Sequence, residues 1–349
     1  MSKDIKLDNV KGVLIFLVVL GHTIGASKEG LVTLVNFIYS FHMPAFIFIS
    51  GYFSKNPTFK KILNLLLLYF IFQSLYSVIR YFIGDFPQLQ FTFGKPHTHL
   101  WYIVSLGFWY ALALLLKHLP LGKILKLLLI VFILLISFYS RLYADELVEI
   151  IQSHYTNMHT QTLSILRTFV FLPFFLAGFY LQEKQMKNLY VSLQRFRFIK
   201  IGVFTLSSLI FLYLSMYPTH YDLLFYGFSG YEKFSIPGQS YITTILFHYI
   251  IGFIGIYIVL NLVNEKKSIL TKWGAHSLSI FLFHMIVIFY LIRHPEWLNQ
   301  LEPDIRLLVQ INIALVVTIL LGSTTFNRCV RFLIKPLETL LITKKFFKT

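Results

Sequence analysis

The chain has 349 residues, of which 56% are hydrophobic, 18% aromatic and only 13% charged, with a mean hydropathy of +0.69. That balance excludes a soluble globular domain, and apolar runs near twenty residues long mean a multispanning membrane protein. The formal charge of +16 does not point to nucleic acid, because excess Lys and Arg on cytoplasmic loops is how helical membrane proteins are oriented.

Ten apolar segments follow in chain order, at about 10–27, 31–53, 62–83, 100–117, 122–140, 163–182, 199–217, 240–262, 275–293 and 306–326. Each is long enough, or nearly so, to cross ~30 Å of hydrocarbon. The expected fold class is all-α: a polytopic membrane helical bundle of about ten transmembrane helices, forming a single domain over residues 1–349. With the N-terminus in the cytoplasm, every cytoplasmic segment is basic and most of the 31 Lys and Arg lie on that side. An even span count then puts both termini inside. The N-terminal run lacks a small-residue cleavage site and reads as an uncleaved first span. The one cysteine, Cys329, rules out an intrachain disulfide and reads as a small apolar residue at a helix end. The longer outer loops, 84–99, 141–162 and 218–239, hold His97, His99, His154, His159 and His220. Such side chains suit sugar-hydroxyl contact and are equally ordinary in loops. No internal repeat, metal-ligand spacing or nucleotide-binding glycine loop is evident.

The first span is apolar apart from Lys11 near its start and His22 near its end. A titratable imidazole at membrane depth is costly and marks a functional site. Eleven residues are almost three helical turns, so both side chains share one face, about 16 Å apart along the axis. The second span opens Phe41-His42-Met43-Pro44 and continues to Ser50-Gly51. Pro44 is expected in the first helical turn, where its missing N–H costs little. His42 is expected near the outer end, within approach of His22. Ser50 and Gly51 let another group come close to the backbone at depth. Arg80 and Arg167 fall at outer helix ends, placed to snorkel or to hold an acidic acceptor or an oxyanion. His248 and His284 fall within spans, as polar contacts between helices or as functional groups. Trp101 is placed either to anchor at the interface or to stack on a sugar.

Taken together, Asp8-x-x-Lys11-Gly12 with His22, then Phe41-His42-Met43-Pro44-Ala-Phe and Ser50-Gly51-Tyr52, resemble the integral membrane acyltransferase-3 family. The resemblance is closest to its branch of fucose 4-O-acetylases and capsule or exopolysaccharide O-acyltransferases. His99-Leu-Trp101-Tyr102, the Arg167 to Gly178 stretch with Pro173-Phe-Phe, and Gly274-Ala-His276-Ser277 through His284 are similar to later motifs of that family. The family usually has Arg where this chain has Lys11; Lys keeps the charge without the bidentate geometry.

The resemblance implies an O-acyltransferase of the cytoplasmic membrane. It would move an acyl group, most often acetyl, from cytoplasmic acyl-CoA to a hydroxyl of a surface glycan or a lipid-linked glycan acceptor. No metal is implied, and the composition suits a bacterial cell membrane. Acyl-CoA is polyanionic and needs a basic mouth, for which Lys11, Lys55, Lys60 and Lys61 are candidates, with Ser50 beside them. A neutral imidazole suits removal of a hydroxyl proton near pH 7. His22 is therefore the candidate general base or transient acyl carrier, with His42 orienting or relaying. Trp101, Tyr102, His99, Arg80, Arg167 and His284 are the candidate acceptor-site residues. A polysaccharide exporter stays open beside the enzyme, as does a protein that delivers acyl groups to a separate transferase.

Overall fold

The structure is a computed structural model that describes residues 4–152, 159–194, 197–236, 238–328 and 330–332. Cys329 and His154 lie outside the described residues. The described residues are 78% helix, with no strand among them. In order, the helices are α1 (Ile5–Gly25), α2 (Val32–Phe53), α3 (Phe59–Phe82), α4 (Trp101–His118), α5 (Lys123–Tyr139), α6 (Ala144–Gln152), α7 (Ile165–Tyr180) and α8 (Glu183–Gln194). They continue as α9 (Arg197–Met216), α10 (Pro218–Tyr226), α11 (Tyr241–Leu262), α12 (Ile269–Ala275), α13 (Ser277–Arg293), α14 (Glu296–Asn299) and α15 (Pro303–Leu321).

Among the described residues, six helices are long and apolar enough to cross a bilayer: α1, α2, α3, α7 with its leading turn, α11 and α15. Two bent pairs raise the number to eight if each is one span: α5 with α6, bent by 83°, and α12 with α13, bent by 86°. The apolar helices fit a multi-pass membrane protein. The two remaining expected segments are α4, whose Trp, Tyr and Gly lower its apolarity, and α9, whose apolar part is Phe204–Met216.

Helices α1 and α2 are the most buried of the candidate spans. α1 packs on α2, α12, α13 and α15, while α2 packs on α7, α10 and α11. Without a hydrophobic drive between helices in lipid, small residues that let backbones approach become the packing devices. Two reciprocal glycine contacts do this. A Cβ on Gly51 of α2 would sit 2.1 Å from the Phe175 carbonyl oxygen, and one on Gly178 of α7 would sit 1.9 Å from that of Phe48. Likewise Gly12 of α1 faces the Leu270 carbonyl and Gly274 of α12 faces that of Asp8. Asn9 closes the same contact: its amide donates to the carbonyls of Asn264 and Lys266 at 2.9 and 2.8 Å.

Pro44 lies inside α2, not in its first turn. The apolar pattern extends upstream to Val32, so the helix starts about two and a half turns earlier than Phe41-His42-Met43-Pro44 alone suggests. The missing N–H frees the carbonyl four residues back, which membrane helices tolerate through neighbouring contacts. α7 begins from two consecutive left-handed residues, Leu163 at φ 46° and Ser164 at φ 55°. Neither is glycine, so the turn is strained. It aims the first turn of α7, and with it Arg167, at the end of α1.

Candidate active site

Three helices and the turn before α4 bring imidazoles together where α1 ends. His22 of α1 has its ring centroid 5.4 Å from that of His284 of α13. His284 lies 5.2 Å from His99, just before α4. Tyr39 of α2 places its hydroxyl 3.3 Å from His22 Nδ1, and its ring stands edge-on to His42 with centroids 4.7 Å apart. Tyr39 and His42 are three residues apart on α2 and so share a face.

Backbone carbonyls settle two tautomers, because a carbonyl can only accept. His42 Nδ1 donates to the Ile38 carbonyl at 2.8 Å. His284 Nδ1 donates to the carbonyls of Phe281 at 2.8 Å and Ile280 at 3.1 Å. In the neutral ring each therefore presents Nε2 as a lone pair. His284 Nε2 is buried without a hydrogen-bond partner. Both nitrogens of His99 are buried and unpartnered too, against Tyr76 and Phe281 at 4.9 and 5.2 Å between centroids.

A cavity of about 220 Å³ opens on this cluster, lined by His22, Tyr39, His42, Trp101, Arg167 and Tyr226 among others. Arg167 is a part-buried cation with no carboxylate partner among the described residues. Its Nε donates to the Tyr226 carbonyl at 3.0 Å, and its guanidinium lies 4.9 Å from the Trp101 ring and 4.8 Å from that of Phe228. Its two terminal nitrogens have no hydrogen-bond partner among the described residues, so they remain free to donate into the cavity. Beside it, Lys28 pairs with Asp222 and lies over the Tyr226 ring.

A second cavity of about 220 Å³ lies toward the start of α1, lined by Lys11, Phe46, Ser50, Phe53, Tyr102 and Ser277 among others. The two cavities share no lining residue. Lys11 Nζ pairs with Asp8 at 2.7 Å and lies 5.2 Å from the Phe53 ring. Ser50 donates its hydroxyl proton to the Phe46 carbonyl at 2.8 Å. It follows that Tyr102 is the donor in their 2.6 Å contact.

The structure thus brings His22, His42, Trp101 and Arg167 to one cavity, with His284 and then His99 packed behind His22. Lys11, Ser50 and Tyr102 gather at the other, which parts Tyr102 from its sequence neighbour Trp101. Lys55 is committed elsewhere: its ammonium donates to the Gly178, Phe179 and Leu181 carbonyls at the end of α7. There a cation complements the helix dipole, and burial pushes its pKa down. Lys60 and Lys61 are exposed, with Lys61 donating to the Asn56 carbonyl at 2.8 Å. Arg80 lies apart from both cavities, paired with Asp85 and donating to His97 Nδ1 at 2.9 Å. His97 then donates from Nε2 to Ser77 at 3.3 Å, and burial, followed by the Arg80 charge, pushes its pKa down to about 4.

Sequence reasoning passed over Tyr39, Tyr226 and Phe228. Tyr39 had a signal, its three-residue spacing from His42. Tyr226 and Phe228 flank Gly227, which takes φ 72° where α10 ends, and only the fold turns that corner toward Arg167.

A family model described as an acyltransferase domain matches residues 4–327. No curated protein matches the chain, and no solved structure does.

Proposed function

The chain belongs to the acyltransferase-3 family, and from that premise we propose that it is a membrane O-acyltransferase working across the bilayer as a single domain. In this reading its donor is cytoplasmic acyl-CoA, most simply acetyl-CoA, and its acceptor a hydroxyl of a surface glycan or a lipid-linked glycan. The observation that carries it is the pair of cavities on opposite sides of the imidazole cluster. One is marked by a lysine and hydroxyls; the other holds His22, His42 and an uncommitted guanidinium. Ten spans, both termini in the cytoplasm and a place in the bacterial cell membrane complete the proposal. The basic residues clustered at the start of α1 support that orientation.

The donor's anionic end would meet Lys11, with Lys60 and Lys61 contributing field at the mouth. Its thioester-bearing arm would run past Ser50 and Tyr102 and bring the thioester up to His22 and Arg167. The acceptor would enter the cavity at the end of α1, with Trp101 as a stacking surface. His22 takes the hydroxyl proton on one ring nitrogen while Tyr39 engages the other. The acceptor oxygen attacks the thioester carbonyl carbon, and the new oxyanion is held by the free N–H groups of Arg167. The C–S bond then breaks, and the departing thiolate takes up the proton that His22 received. His42, its tautomer locked with Nε2 as a lone pair, is a second proton acceptor beside it. His284 accepts in the same way behind His22.

The separation of the two cavities favours one variant of this reading. His22 would carry the acyl group between them as an acyl-imidazole, discharging thiol on one side and ester on the other. Incubating the protein with labelled acetyl-CoA and no acceptor distinguishes the variants, since only the carrier leaves label on the chain.

The test of the reading is acyl transfer by purified protein in proteoliposomes supplied with labelled acetyl-CoA and native polymer. Label in the glycan supports the enzyme and removes both the exporter and the delivery-only readings. No label with acetyl-CoA or succinyl-CoA rejects the proposal.

A further inference from the structure

On the opposite face of α2 from the imidazoles lies a much larger and almost wholly apolar groove of about 500 Å³, between α1, α2, α9 and α11. Small side chains make its floor: Ser40 of α2, Ser207 of α9 and Gly255 of α11. At Gly255 a Cβ would sit 2.1 Å from that of Phe41, so α11 and α2 close on one another there, and α9 stands off to leave the groove. None of its lining residues belongs to either cavity of the candidate active site.

Two measures identify the occupant. Along α11 the groove runs from Ile251 to Leu262, which at 1.5 Å per residue is about 16 Å. Half of a ~30 Å hydrocarbon core is ~15 Å, so the groove is one leaflet deep. Past its end at Leu262 and Val263, the chain presents Lys266 and Lys267, both exposed. Neither has an ion-pair partner among the described residues. The only acid in that turn, Glu265, is already paired with Lys6. An apolar slot one leaflet deep with free ammonium groups beyond its mouth matches one acyl chain beneath an anionic headgroup.

We propose that this groove is a binding site for an anionic glycerophospholipid, with one acyl chain lying between α9 and α11 and the phosphate at Lys266 and Lys267. The site is independent of acyl transfer and holds a structural lipid between α9 and the rest of the bundle.

The test is lipid retention by the full chain, reconstituted with equal parts of phosphatidylglycerol and phosphatidylcholine, extracted into mild detergent and weighed intact by native mass spectrometry. The expected result is about one retained lipid per chain, enriched several-fold in phosphatidylglycerol. Ser207→Trp, which fills the slot, should lose that lipid. Lys266→Gln with Lys267→Gln should keep a lipid but lose the preference for the anionic one. Ser207→Leu serves in place of the larger substitution if Ser207→Trp does not fold. Retention in the input ratio by the wild type, or retention that Ser207→Trp and Ser207→Leu leave unchanged, overturns the proposal. So does displacement of phosphatidylglycerol by an equal amount of a long isoprenoid phosphate, which would make the groove the acceptor's tail site instead.

Discussion

The Tyr39 hydroxyl lies 3.3 Å from Nδ1 of His22, although the two residues sit on different helices. That contact fixes which edge of the imidazole faces the cavity, since one ring nitrogen is engaged and the other is left to meet a substrate. A positioning hydrogen bond of this kind is worth on the order of 1 kcal/mol. Tyr39→Phe should therefore lower kcat about five- to tenfold while leaving KM for acyl-CoA unchanged. Steady-state kinetics with both substrates varied separate this from a packing defect, which would move both constants.

Arg167 is part-buried and differs from the fully buried Arg141 in having uncommitted donors that face a cavity. Arg141, for comparison, spends all three of its nitrogens on the carbonyls of Ser229, Leu224 and Leu223. Loss of an oxyanion donor costs ~10²–10³ in kcat. Arg167→Gln should fall in that range, and Arg167→Lys should not restore full activity, because its ammonium cannot reproduce the planar contact between Trp101 and Phe228. Equal kcat in Arg167→Gln and wild type would remove Arg167 from the chemistry.

The main features of the site were legible because membrane context makes polar residues conspicuous. His22 and His42 stand out in apolar runs, and their helices are joined by a short loop, so their approach could be read from the chain alone. Trp101 and Arg167 were read as ambiguous between anchoring and binding, and only the fold places both in one cavity. Lys55 looked like part of a basic mouth beside Lys60 and Lys61. Its capping of α7 depends on a contact with residues more than 120 positions away, which local pattern does not encode. Tyr39 carried one sequence signal, its three-residue spacing from His42, which alone does not set it apart from the rest of the 21 tyrosines. The bends at α5–α6 and α12–α13 were equally unreadable: hydropathy records where apolar residues fall, not where the axis turns.

His97 offers a pH signature outside the spans. Burial, then the Arg80 charge, depress its pKa to about 4 in the folded chain, against about 6.5 in the unfolded chain. Between those values the unfolded state binds more protons, so stability declines as pH falls from about 6.5 toward about 4. Thermal unfolding in detergent should show wild type losing more stability than His97→Gln between pH 7 and pH 5. Parallel losses in the two proteins would mean that His97 is not the group responsible.

Helix α7 is held against α2 at backbone contact. A Cβ at Gly178 would meet the Phe48 carbonyl oxygen at 1.9 Å, with backbone and no flexible side chain in the way. Overpacking of this sort costs roughly 1–3 kcal/mol. Gly178→Ala should lower the melting temperature in detergent, whereas Gly107→Ala on α4, where a Cβ meets nothing within 4 Å, should not. Equal melting temperatures would show that the α2–α7 contact is looser than the glycine pair implies.

The most direct measurement of the central claim is transfer of labelled acetyl from acetyl-CoA to glycan by wild type and His22→Ala, reconstituted at matched amounts and checked for equal melting temperature. The expected result is label in the glycan with wild type and a loss of about 10²-fold or more in His22→Ala. A His22→Ala protein that transfers acetyl at the wild-type rate would contradict the account, since the imidazole at the end of α1 would then take no part in the reaction.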